Sequence, residues 1–346
     1  MHPGAPGGSP SDAAEALERL QRMDLPSVWA ALRPLVRPAL ALNSPALDAA
    51  LGTRVTLYSE TFQHTGSFKF RAAMSAVLHS KAPRLLTVSS GNFGAALACA
   101  AARWGKACTV AMPQQSSRVK IAAVRAHGAT VDLIDTTRTS RSERLAELAA
   151  ADPEAQPISP YDDPYVVAGN SSLGAEIFGA PEGPPQVLVA PVGGGGLSAG
   201  LVLARDRLAP TCEVIGAEPL AANDAARSLR AGRLECNPDE GNTLCDGART
   251  RSLGQIGFHV LRRGMAAIVE VREVTVAQAV RLLFEAVHLK AEPTGALSVA
   301  AVLEEPARFA GRHVACVVSG ANVEADLYAR LLLDRQDLWV KSRGLP

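Results

Sequence analysis

What the chain lacks narrows its role before any motif is considered. No run of eighteen or more apolar residues occurs, so no segment is fit to span a bilayer. The formal net charge is only +1, which leaves no basic footprint for a nucleic acid. No basic helix with a strongly apolar face offers a membrane anchor. The first residues, MHPGAPGGSPSD, have neither the positive start nor the apolar stretch of a secretory signal. Their glycine, proline and serine content reads as a flexible lead-in over residues 1–25. The six cysteines (Cys99, Cys108, Cys212, Cys236, Cys245 and Cys316) include no CxxC pair. Most sit in apolar strings such as ALACAA and VACVV, where cysteine acts as a small hydrophobe, so a reduced, cytoplasmic setting is expected. The seven histidines show no metal-ligand spacing, and no 20–50-residue repeat is visible.

What is present is apolar and regular. Hydrophobic residues make up 47% of 346, enough for a sizeable core and comfortable for two domains. Short β-branched runs alternate with Ala/Leu-rich stretches almost throughout. Strands are expected at RVTLYS, RLLTVS, CTVAM, TVDLID, QVLVAPV, EVIGAE, AAIVEV and HVACVVS, starting at Arg54, Arg84, Cys108, Thr130, Gln186, Glu213, Ala266 and His313. Helices such as SSRVKIAAVRAHG, SERLAELAAA, LSAGLVLARDRL and TVAQAVRLLFEAVHLK fall between them. That alternation implies an α/β fold with mostly parallel sheets, whose ligands bind on loops beyond the strands' carboxyl ends.

Four short stretches on or beside such loops carry chemistry. HTGSFKFRAA sets Lys69 between Phe68 and Phe70; a desolvated lysine loses basicity and becomes an amine nucleophile. A wet strand edge or helix start formed by Lys69 and Arg71 is the plainer alternative. In PVGGGGLSAG, Gly193, Gly194, Gly195 and Gly196 follow an apolar strand and open a helix, followed by Leu197. Glycines admit close backbone approach and a helix start presents free N–H groups, so this reads as a phosphate cradle, with a tight strand-to-helix turn, which rarely needs four glycines, as the plainer alternative. SSGNFG places Asn92 between Gly91 and Gly94 at another helix start, where it binds a carboxylate or ring oxygen or simply caps the helix. CVVSGANVE ends a strand at Ser319, whose hydroxyl could bond a ring heteroatom.

Together HTGSFKFRAA, SSGNFG, PVGGGGLSAG, EPTGAL and SGANV resemble fold-type II pyridoxal-phosphate (PLP) enzymes, nearest the serine/threonine dehydratases and serine racemases. The resemblance runs from about residue 38 to 333. It implies a two-domain α/β enzyme, tryptophan synthase β-like, with mostly parallel twisted sheets flanked by helices. The large domain would comprise residues 26–83 and 162–346, with a small mobile domain at 84–161 and the cofactor in the cleft. Lys69 would hold the PLP aldehyde and Gly193–Gly196 with Leu197 its phosphate. Asn92 would bond the ring's phenolic oxygen and Ser319 would face the ring nitrogen, with Phe68 and Glu292 nearby. A serine facing that nitrogen leaves it largely unprotonated, which suits prompt loss of a β-substituent better than transamination.

The implied reaction is β-elimination from a β-hydroxy or β-substituted amino acid, giving a 2-oxo acid and ammonia. Lys69 would serve as general base, and an acid such as the cofactor phosphate would protonate the leaving hydroxyl. Ser67, Ser89, Ser90 and Asn92, with Thr65, are candidates to hold the substrate carboxylate. Ser90 also matches the second acid/base group of the racemases, which keeps racemisation open. Asp246, in CDGARTRSLG, is expected near the active-site mouth or as a turn residue. Glu218, the Ala222 carbonyl and Asp224 match a site for Mg2+ or Ca2+, although acidic residues also favour a helix start.

Three departures from the family pattern bear on substrate: Phe93 where histidine is usual, Tyr161 where Asn or Phe is frequent, and AGNSSLGAE in place of AGQGT. They favour a β-substituent other than the hydroxymethyl of serine. β-Replacement and a non-catalytic PLP-binding regulator are the remaining alternatives. A homodimer without an appended regulatory domain is expected, acting on a small amino acid.

Overall fold

The computed structural model describes residues 10–89, 91–239 and 241–333, with ten strands in two sheets. The strands are β1 (Leu40–Asn43), β2 (Arg54–Ser59), β3 (Arg84–Val88), β4 (Ala107–Pro113) and β5 (Thr130–Ile134). They continue with β6 (Ala155–Pro157), β7 (Val187–Pro191), β8 (Glu213–Pro219), β9 (Ala267–Val271) and β10 (His313–Val318). All eight expected strands are there. The two unforeseen ones lack a pattern to find: β1 is an exposed edge strand and β6 has three residues.

Six strands form one sheet in the order β1-β2-β10-β7-β8-β9, parallel except for β1. The other four, all from residues 84–157, form a parallel sheet in the order β5-β4-β3-β6. This is the α/β architecture of fold-type II enzymes. The largest core cluster contains Leu85 and Val110 from the smaller sheet and Val192 and Val214 from the larger side.

Parallel pairing with little stagger gathers the functional loops. Val318 of β10 lies opposite Ser59 of β2, and Val314 lies opposite Val187 of β7. The carboxyl ends of β2, β10 and β7 therefore stand side by side. They deliver the segment before Lys69, then Ser319, then the glycine loop. Behind them, helix Pro164–Phe178 packs on helices Lys69–His79 and Gly196–Leu208. The contacts are close enough that a Cβ on Gly169 would sit 2.6 Å from the Arg71 carbonyl, and one on Gly200 2.7 Å from the Ser171 nitrogen.

Residues 10–22, expected within the flexible lead-in, form helix Pro10–Arg22 instead. The segment AAEALERLQR is built from strong helix formers, with Glu15–Arg19 and Glu18–Arg22 pairs one turn apart. Leu20 anchors it to the core at 3% exposure.

Candidate active site

Lys69 begins helix Lys69–His79. Its Nζ donates to the Pro160 carbonyl at 2.7 Å and lies 5.1 Å from the Phe68 ring centre and 5.6 Å from that of Phe93. The residue keeps some exposure, but the amine is walled by these rings, and burial lowers its pKa to about 8. No carboxylate pairs with it among the described residues, so no ion pair offsets that burial. A sizeable fraction is then free amine near neutral pH, the form that attacks a carbonyl or accepts a proton.

The glycine loop is linked to this amine through the segment Pro160–Tyr161. Pro160 receives the lysine, and the next residue, Tyr161, lies against the loop. A Cβ on Gly194 would fall 2.3–2.6 Å from the Tyr161 ring, and one on Gly196 would fall 2.9 Å from its Cα. Gly195 caps the following helix with φ +88°, a left-handed conformation that glycine adopts without strain. Gly193 approaches Ala248 Cα to 3.0 Å from its virtual Cβ. Four glycines are thus required by space and backbone alike. The result is a bare peptide loop at the start of a helix thirteen residues long.

Across the cleft, Asn92 begins helix Asn92–Arg103. Its Nδ2 donates to Glu292 Oε1 at 2.8 Å, and its Oδ1 accepts from Asn322 Nδ2 at 2.8 Å. Glu292 is 3% exposed; burial foremost, then the charge of Asp246, pushes its pKa up to about 8. Ser319 is 2% exposed, and its carbonyl accepts the Phe68 N–H at 3.0 Å, which ties the end of β10 to the turn before Lys69. Ser67 bridges Gly320 in that turn. Its Oγ and Thr65 Oγ1 are buried hydroxyls with no hydrogen-bond partner among the described residues.

The combination of an amine of lowered basicity, a bare loop at a helix start and unpaired buried hydroxyls fits PLP, an aldehyde with a phosphate and a polar ring. A family description, pyridoxal-phosphate dependent enzyme, matches residues 32–320. The chain belongs to that family. L-threo-3-hydroxyaspartate ammonia-lyase of Saccharomyces cerevisiae is 32% identical over 88% of this chain and 94% of the relative. Serine racemase of Schizosaccharomyces pombe is 32% identical over 89% and 96%. The crystal structure of a T.th. threonine deaminase superposes with a TM-score of 0.83 at 41% identity, covering 87% of this chain and 98% of that one. The protein is a fold-type II PLP enzyme related to the serine/threonine dehydratases and serine racemases.

Within this PLP enzyme the expected site residues differ in what they do. Lys69, Phe68, Phe93, Tyr161 and Gly193–Gly196 converge as described, with Leu197 buried behind the loop. Asn92 of the smaller-sheet side meets Glu292, while Ser319 and Ser67, the latter in the turn before Lys69, lie on the larger side. Ser89 is already committed: its Oγ accepts from the Gly91 and Gly94 N–H groups at 3.3 and 3.2 Å. Those two N–H groups are therefore not free for a carboxylate, although the Ser89 hydroxyl hydrogen is. Ser90 lies outside the described residues. Asp246 pairs with Lys120 from the helix Arg118–Ala126 of the smaller-sheet side.

Glu218 and Asp224 are both fully buried. Glu218 spreads its two oxygens over the Ala225 and Ala226 N–H groups at 2.9 Å, capping helix Asp224–Ala231. Asp224 accepts from Asn237 at 2.8 Å, and its Oδ2 has no partner among the described residues. Burial, then the Asp224 charge, raises the Glu218 pKa well above the usual carboxylate range; burial takes Asp224 to about 7. No cluster of three or more His, Cys, Asp or Glu suited to a metal occurs among the described residues.

Arg71 is not at a wet edge. It is wholly buried, with a forked pair to Glu60 at 2.8 and 2.9 Å and a second to Glu176 at 2.6 and 3.1 Å. This ion network fixes the helix that starts at Lys69 and shares it with AGNSSLGAE, whose Ser172 accepts from Arg71 at 3.3 Å. Glu60, Glu176, Pro160 and Asn322 were not singled out from the sequence. Only Asn322 had a signal there, as the asparagine of SGANV.

Proposed function

We propose that the enzyme removes the β-hydroxyl and the amino group from a β-hydroxy amino acid, releasing a 2-oxo acid and ammonia. The observation that carries this reading is the placement of the Lys69 amine, desolvated between two phenylalanine rings and bonded to Pro160, whose neighbour Tyr161 packs on the glycine loop. Lys69 would hold the cofactor, Gly193–Gly196 its phosphate, Asn92 its ring oxygen and Ser319 its ring nitrogen. When bound, PLP draws electrons from the α-carbon of an attached amino acid and makes its proton removable. Lys69, with a pKa of about 8, is matched to take that proton near neutral pH. Ser67 and Thr65 bring unspent hydroxyls for the substrate carboxylate.

Phe93, 1% exposed and packed against the amine, offers an apolar wall to the β-substituent. A β-methyl, as in threonine, suits that wall better than a second carboxylate, as in 3-hydroxyaspartate. The test is 2-oxo acid release from serine, threonine and 3-hydroxyaspartate by protein loaded with PLP, beside Lys69→Ala. Lysine-dependent turnover led by threonine supports the reading. No turnover of any of the three, with cofactor held on Lys69, overturns it.

The 32% identity to a serine racemase supports a second reading, in which Ser90 returns a proton on the opposite face. Formation of the D-isomer, lost in Ser90→Ala while elimination persists, would establish it. The residues 84–161 are proposed to close over bound substrate, carrying Asn92. A homodimer is proposed, to be read by sedimentation. A divalent cation, Mg2+ or Ca2+, is proposed at Asp224 Oδ2 with the Ala222 carbonyl and the second lone pairs of Glu218. Either ion should then raise the melting temperature of the wild type but not of Asp224→Asn.

A further inference from the structure

Asn322 is the hub of a bond network that determines which atom of Asn92 faces the cofactor. The network can be read from one fixed acceptor. The Thr65 carbonyl can only accept, and Asn322 Nδ2 donates to it at 2.8 Å. That settles which end of the Asn322 amide is nitrogen. Its other Nδ2 hydrogen goes to Asn92 Oδ1, also at 2.8 Å, so Asn92 must present its oxygen to Asn322. Asn92 Nδ2 is then turned to Glu292 Oε1.

The surrounding backbone is shaped for this contact. A Cβ on Gly66 would lie 2.5 Å from Asn322 Oδ1, and one on Gly320 would lie 2.7 Å from Glu292 Oε1. Gly66 has φ +72°, and its carbonyl accepts the Ala321 N–H at 2.9 Å. Asn92 belongs to the smaller-sheet side, whereas Asn322 and Glu292 follow β10 and precede the helix Pro293–Glu304 of the larger side, respectively. The three side chains therefore close a bridge across the cleft.

We propose that Asn322 is a positioning residue: it locks the Asn92 amide so that its one remaining Nδ2 hydrogen is offered to the cofactor's ring oxygen. This rests on the PLP reading above, with Asn92 as the ring-oxygen partner. With Oδ1 and one Nδ2 hydrogen engaged, Asn92 acts as a donor and stabilises negative charge on that oxygen. Without Asn322 the half-buried amide keeps only its Glu292 contact, whose carboxyl can donate as well as accept, so the amide can turn over and the ring oxygen then meets an acceptor part of the time. An oxygen deprived of its donor holds the neighbouring Lys69-linked proton more tightly.

The test is the pH titration of the Lys69-dependent visible absorbance of the holoenzyme, in wild type, Asn322→Ala, Asn92→Ala and the double variant. Thermal melts of the same proteins check that each is folded. The expected result is an upward shift of about half a unit in Asn322→Ala and about one unit in Asn92→Ala, one unit being a tenfold change in proton affinity. The double variant should titrate like Asn92→Ala, because Asn322 acts only through Asn92. A wild-type titration in Asn322→Ala overturns the proposal. So does a shift in the double variant equal to the sum of the two single shifts. A folded wild type with no Lys69-dependent absorbance removes the PLP reading itself, and this inference with it.

Discussion

Replacing Gly194 with alanine probes the cradle at its most crowded point. The new Cβ would lie 2.3 Å from Tyr161 Cγ and 2.4–2.6 Å from both Cδ atoms, where ordinary contact begins at 3.4 Å. The ring would have to retreat by about 1 Å, and it cannot do so freely. Tyr161's own backbone lies 2.8–2.9 Å from the virtual Cβ of Gly196, so the residue is pinned on the same loop. Overpacking of this kind costs about 1–3 kcal/mol. Expressed wholly in the loop's phosphate-binding conformation, that is about 5- to 150-fold in PLP affinity at about 1.4 kcal/mol per decade. The assay is PLP titration of the apo-enzyme followed by its Lys69-dependent absorbance. Tyr161→Ala in the Gly194→Ala background removes the clashing ring and should restore most of the affinity. Affinity within twofold of wild type in Gly194→Ala would refute the crowding argument, as would a loss that Tyr161→Ala does not relieve.

Further expectations follow from the charges. Lys69, lowered to about 8, should capture PLP about tenfold faster per pH unit below pH 8 and level off above it; a rate still climbing at pH 10 would mean an ordinary lysine. Glu292, raised to about 8, keeps its proton in the folded state after the unfolded chain has lost it. Its contribution to stability is complete below about pH 4.5 and is lost as pH rises toward 8. Apo melting temperatures of wild type relative to Glu292→Gln should therefore fall between pH 5 and 8, and parallel curves would contradict this. Glu60→Gln breaks a fully buried forked pair and should cost about 3–5 kcal/mol in denaturant unfolding. Glu176→Gln, whose carboxylate is 33% exposed, should cost about 1 kcal/mol. Equal losses in the two variants would mean that burial does not set the energetics of the network.

The eight main strands were legible because each is a β-branched run bounded by turn residues, and the glycine loop because four glycines in a row rarely serve a turn alone. Pairing across the fold was not legible. Nothing near Arg71 announces Glu60 and Glu176, which lie 11 and 105 residues away in the chain and meet only when helices and a strand end pack together. Pro160 receives the lysine through its carbonyl, and a backbone acceptor leaves no mark on residue type. Ser89 looked like a substrate contact by type, yet the same hydroxyl satisfies two N–H groups at the turn into helix Asn92–Arg103. The helix Pro10–Arg22 was hidden by averaging its composition with the glycine- and proline-rich residues before it.

The way charge is handled explains how the parts of the site belong together. Two titratable groups of the proposed site, Lys69 and Glu292, are both pushed toward neutrality by burial, one downward and one upward, to about 8. Ser319, at the ring nitrogen in this reading, is neutral as well. The opposite charges of Lys120 and Asp246 pair with each other, and those of Arg71, Glu60 and Glu176 are closed in a separate network. A cofactor phosphate would then meet its attraction from peptide N–H groups at the helix start, while the nearby Asp162 carboxylate is engaged by the Gln255 and Ile256 N–H groups. Lys69 is left to exchange protons near neutral pH because no ion pair holds it charged. Introducing a carboxylate beside it, as in Phe93→Asp, should raise its pKa and slow PLP capture at pH 7 by about tenfold or more. Unchanged capture would show that desolvation by the two rings is not what sets the reactivity of the amine.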